Sequence, residues 1–103
     1  MKKTAFIIAA LGAAFAAAPA LASLELATKS ACTACHAIDK KLVGPSYKDV
    51  AAKYKGNAKA EAMLVEKVKK GGVGTWGQVP MPPNANVKED DVKTLVKWVL
   101  STK

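Results

Sequence analysis

The chain has 103 residues, a formal net charge of +8, two cysteines and a single histidine. That length bounds it to one small domain, and two Cys with one His leave the fourth position of a tetrahedral zinc site empty. A basic balance suits nucleic acid or an anionic membrane, but an exported chain meets no nucleic acid, and no basic helix with a bulky apolar face is evident.

Export is read from residues 1–22, which differ from everything after them. Lys2 and Lys3 give a positive start, TAFIIAALGAAFAAA is an apolar run, and PALA ends on small residues at Ala20 and Ala22. This is the three-part pattern of a secretory signal, with cleavage expected between Ala22 and Ser23. The apolar run is shorter than the roughly 20 residues a bilayer-spanning helix needs. No cysteine stands at the junction to carry a lipid anchor. The expected product is residues 23–103, one soluble domain in a bacterial periplasm.

Losing Lys2 and Lys3 leaves fourteen lysines against eight acids, a formal +6. Such a charge reads as a steering field for an acidic protein partner. Chains below about 70–80 residues are marginal on a hydrophobic core alone, and at 81 residues the product sits close to that limit. Its aromatic and methionine side chains are Tyr47, Tyr54, Met63, Trp76, Met81 and Trp98 only. A bulky apolar cofactor would supply what such a core lacks.

The pattern after residue 22 is helical with one long irregular stretch. LELATKSACTACH places Leu24, Ala27, Ala31 and Cys35 near helical spacing, so a first helix is expected to run to the cysteines. GPSYKDVAAKYKG contains Ser46 three residues before Asp49, a capping-box-like helix start, and Gly56 as its stop. Asn57 is expected to cap the next helix, in which Ala60, Met63, Leu64 and Val68 share a face and Gly71–Gly72 end the run. GGVGTWGQVPMPPNAN then carries four glycines and three prolines, which excludes helix or central strand and marks an ordered loop. In the last segment Val92, Leu95, Val96 and Val99 fall at i, i+3, i+4 and i+7. Glu89, Asp90 and Asp91 favour its dipole, although Lys88 makes a poor cap. The expected class is all-α.

The chemistry lies in CTACH, residues 32–36. A thioredoxin-type pair needs a βαβ context, and no strand precedes Cys32. A structural disulfide would close a trivial loop and leave His36 unexplained. Covalent attachment of haem c explains all three residues: Cys32 and Cys35 add to the two vinyl groups, and His36 comes under the iron as proximal ligand. For the other iron face the candidates are Met63 and Met81. Met63 falls on an apolar helix face, where methionine is usually core filler. Met81 stands between Pro80 and Pro82–Pro83, whose rings stiffen the loop and present a thioether at one place. A thioether ligand favours ferrous iron and raises the potential.

CTACH, VGPSYKDVAAKY, GTWG, PMPPN and LVKWVLS, in this order, make the chain similar to the small bacterial class I cytochromes c. The resemblance covers essentially all of residues 23–103. It implies about four helices around one haem, and a periplasmic one-electron carrier, not an enzyme. Donors of the quinol–cytochrome c reductase type and acceptors such as nitrite reductase or a terminal oxidase are implied, with the protein a monomer. It also implies that the Pro45 carbonyl accepts the outer N–H of His36, that Trp76 donates to a haem propionate, and that Asn84 donates to the Met81 sulfur. Lys29, Lys40, Lys41, Lys53 and Lys70 are the candidate docking lysines. Leu95 and Trp98 are expected to pack helices and touch no chemistry. Two other functions stay open at this level: a gas-binding sensor or enzyme with a free distal site, and a fixed haem subunit of a larger oxidoreductase.

Overall fold

The computed structural model describes residues 23–103, so the leader and its cleavage point lie outside the described residues. Helix α1 covers 23–29, and a single 3₁₀ turn follows at Cys32–Ala34. Helices α2 (Tyr47–Lys53), α3 (Ala60–Lys70) and α4 (Glu89–Leu100) complete an all-α domain with no strand among the described residues.

α4 is the element on which α2 and α3 both pack. Its i, i+3, i+4 stripe buries Val92, Leu95 and Val96, and Val92 is wholly inaccessible. With Val50 of α2 and Leu64 and Val65 of α3, two of these form the core, and Tyr54, Val68 and Val99 pack around it. Each fully buried valine or leucine contributes about 1.5–3 kcal/mol. Glu89, Asp90 and Asp91 stand in the first turn of α4, and Lys88 supplies no side-chain cap, so acid–dipole attraction is what stabilises that end.

The structure differs from expectation in three places. The first helix does not continue to the cysteines, because Ala31 turns left-handed at φ 65° and the chain tightens into the 3₁₀ turn. Asn57 caps no helix. Its side-chain oxygen accepts from the Lys59 N–H at 2.9 Å, closing a turn, and α3 begins at Ala60. The buried face of α3 consists of Ala60, Leu64 and Val65, so Met63 is 43% exposed and is not core filler. Ser46 does cap α2, accepting from the Asp49 N–H at 3.0 Å.

Between α3 and α4 the chain makes a long excursion, residues 71–88. Its neck is closed by two backbone bonds, Gly72 N–H to Met81 O at 3.0 Å and Met81 N–H to Gly72 O at 2.8 Å. Gly71 ends α3 at φ 74° with its Cα against the Met81 carbonyl. Only glycine combines that backbone conformation with so close an approach.

Candidate cofactor site

The 3₁₀ turn explains how two cysteines come to serve one edge. Side chains at i and i+3 eclipse one another at three residues per turn, so Cys32 and Cys35 project on the same side, with the His36 N–H bonded back to the Cys32 carbonyl at 3.0 Å. Burial pushes the Cys32 thiol above its ordinary pKa, and the neighbouring Cys35 adds to the rise. Among the described residues no three His, Cys, Asp or Glu side chains gather to hold a metal ion.

His36 is held on several sides. The Pro45 carbonyl lies 2.7 Å from its Nδ1; a carbonyl only accepts, so Nδ1 carries the proton and Nε2 keeps a lone pair for a metal. Gly44 runs flat against the ring, since a Cβ there would sit 2.6 Å from His36 Cε1. The Tyr47 ring stacks on the imidazole, with centroids 5.5 Å apart and planes 23° from parallel. Burial, and secondarily Cys32, raises the Tyr47 hydroxyl far above its ordinary pKa, so Tyr47 stays neutral.

Cys32, Cys35, His36, Pro45, Trp76 and Met81 all line one cavity of about 360 Å³. Its volume is within the ordinary range for a small-molecule or cofactor site. Val50, Leu64, Val68, Leu95, Val96 and Val99 make the inner wall. Two thiols on one side of a turn, an imidazole with a free ring nitrogen, a thioether on a proline-stiffened limb and an aliphatic wall fit a flat apolar macrocycle that carries a metal.

Asn84 does not line the cavity. Its Nδ2 donates to the carbonyl of Val68 at 3.2 Å, tying the loop to α3, and to that of Pro82 at 3.3 Å within the loop, which uses both amide protons. The expected bond to the Met81 sulfur is not among its hydrogen bonds. Leu95, expected only to pack helices, belongs to the cavity wall.

The lysines sort unevenly about this cavity. Lys41 and Lys67 line it, and the Lys53 ammonium stands 5.5 Å from the centroid of the half-exposed Trp76 ring. Lys70 is paired instead with Glu66 at 3.0 Å. Lys67 and Tyr47 line the cavity as well, beyond the site residues that the sequence picks out. Lys67 stands four residues before Gly71, so helical spacing directs it toward the loop neck, a weak but usable signal.

Comparison with known proteins agrees with this geometry. The family model for cytochrome c matches residues 20–103. Cytochrome c-551 of Allochromatium vinosum is 63% identical over 81 residues, which is 79% of this chain and 86% of the relative. Cytochrome c-552 of Nitrosomonas europaea is 49% identical over 84 residues, 82% of each chain. The crystal structure of wild-type Nitrosomonas europaea cytochrome c552 superposes with a TM-score of 0.76 at 49% identity, covering 78% of this chain and 99% of that one.

Proposed function

The chain belongs to the cytochrome c family, a small electron carrier with one covalently attached c-type haem, and from that premise we propose how its own residues hold the haem and where it works. Cys32 and Cys35 would hold the haem through two thioethers, and His36 and Met81 would ligate its iron. When bound, the haem supplies one-electron Fe(II)/Fe(III) chemistry. The observation that carries this assignment is the convergence of Cys32, Cys35, His36 and Met81 on one cavity. Met63 lies on the exposed face of α3 and lines no part of it.

Each residue then has a definite task. The Pro45 carbonyl holds the Nδ1 proton of His36, which orients the ring and raises the basicity of Nε2. The Gly72–Met81 backbone pair and the Asn84 bonds to Val68 and Pro82 hold the thioether-bearing limb at its base. Trp76, at the cavity lining, would serve a propionate through its indole N–H. With His36 and Met81 both holding the iron, it would offer no open position to a substrate.

Export of residues 23–103 to the periplasm is part of the same proposal, supported by the three-part leader. The partners there are transient redox proteins, a quinol–cytochrome c reductase type as donor and a nitrite reductase or terminal oxidase as acceptor. Lys41 and Lys67, which line the cavity, and Lys53, beside Trp76, steer an acidic partner toward the haem edge.

Exchange of the two methionines tests the ligation. Met81→His replaces a thioether by an imidazole and is expected to lower the reduction potential markedly, whereas Met63→Leu leaves it unchanged by potentiometric titration. An unchanged potential in Met81→His, or a large fall in Met63→Leu, would overturn the assignment.

A further inference from the structure

His36 is held by its bond to the Pro45 carbonyl and lies flat against Gly44, but the hydrogen bond alone leaves the ring free to swing about its axis. The torsion that sets an imidazole plane is intrinsically broad. Contact with Gly44 limits that swing, and the structure holds a further constraint, on which neither motif nor spacing reports.

We propose that Tyr47 is a positioning residue for His36: its ring fixes the rotational setting of the imidazole plane, and α4 in turn holds Tyr47. This deepens the assignment of His36 as axial ligand and rests on it. The two rings stack at 5.5 Å and 23°, an offset arrangement of the kind aromatic pairs favour. Tyr47 is only 5% exposed and is tied from several directions. Its N–H donates to the Ala37 carbonyl at 2.9 Å, just after the ligand itself. Its carbonyl accepts from Thr102 Oγ1 at 3.1 Å, beyond the end of α4. The edge of its ring meets Trp98 at 5.2 Å and 65°.

His36, Tyr47 and Trp98 thus form one continuous set of rings from the cavity to the last turns of α4. The docking of α4 that buries Val92 and Val96 also sets the plane of the axial imidazole. A packing element and a ligand orientation become one mechanical unit.

The orientation of an axial imidazole decides how unpaired spin is spread over the four haem methyls in oxidised protein, so proton NMR of the oxidised holoprotein reads it directly. Tyr47→Phe keeps the stacked ring and is expected to retain the wild-type order and spread of the methyl shifts. Tyr47→Leu removes the stack and is expected to change both. Trp98→Leu is expected to move them in the same sense by a smaller amount. Val65→Ala, in the core but away from the cavity, lowers the melting temperature and is expected to leave the pattern untouched.

A wild-type pattern in Tyr47→Leu overturns the proposal, as does a Val65→Ala pattern displaced as far as that of Tyr47→Leu. Should Tyr47→Leu fail to fold, Trp98→Leu decides: a moved pattern supports the proposal and an unmoved one overturns it. If His36 is not the ligand, its ring protons show no hyperfine shift in the wild type, and that failure is visible before any variant is made.

Discussion

The Pro45 carbonyl, the bare Cα of Gly44 and the face of Tyr47 meet the His36 ring from different directions. Of these, Gly44 has the least tolerance. A methyl group there would sit 2.6 Å from Cε1 and 3.0 Å from Nδ1, and the ring cannot retreat while Pro45 holds it. Gly44→Ala is expected to destabilise the protein by about 1–3 kcal/mol, the usual cost of inserting a carbon into a packed site. Urea denaturation of the holoprotein measures it. A midpoint equal to wild type would mean that the ring has room to move, and the view of His36 as clamped would be wrong. Met81 shows the complementary strategy. Prolines on either side and a backbone pair with Gly72 fix the limb that carries the thioether.

At the scale of elements, the excursion that carries Met81 begins and ends on helices joined by an ion pair. Lys69 near the end of α3 bonds Glu89 at the start of α4 at 2.6 Å, across 20 residues. Glu66 and Lys93 flank the pair at 4.0 and 3.6 Å. The hydrogen bond and charge of Lys69, with help from Lys93, hold the Glu89 carboxyl below its ordinary pKa of 4.5. A carboxylate with a lowered native pKa adds stability above its unfolded value and loses it as pH falls through the native one. The pair therefore contributes fully at neutral pH and fades below about pH 4.5. Glu89→Gln is expected to lower the thermal midpoint slightly at pH 7 and to match wild type at the acid end of that window. High salt should shrink the difference, since Glu66, Glu89 and Lys93 are exposed and Lys69 is partly so. An equal difference at both pH values would show that the ion pair is not its source.

For the molecule as a whole, the features written in consecutive residues were the legible ones. CTACH, the proline-bound Met81 and the i, i+3, i+4 stripe of α4 each depend on spacing within a few positions, and each stands in the structure as one coherent feature. What eluded the sequence depends on contacts between distant segments. The left-handed Ala31 has no propensity signal, because alanine favours the helix it interrupts. Met63 faces outward because the core is centred on Leu64 and Val65, which only the docking of α3 on α4 decides. Asn84 finds its acceptor at Val68, 16 residues away, and Tyr47 meets His36 and Trp98 across 11 and 51 positions. A core this small also leaves much of the aliphatic surface of α2, α3 and α4 facing the cavity, in keeping with a chain that completes its interior around a cofactor. The most direct test of the His36/Met81 carrier is the optical spectrum of the purified protein, oxidised and reduced, with carbon monoxide added to the reduced form. A low-spin reduced spectrum, a weak far-red band in the oxidised protein and no change with carbon monoxide are expected. A high-spin spectrum, or rapid binding of carbon monoxide, would remove Met81 from the iron and contradict the carrier assignment built on it.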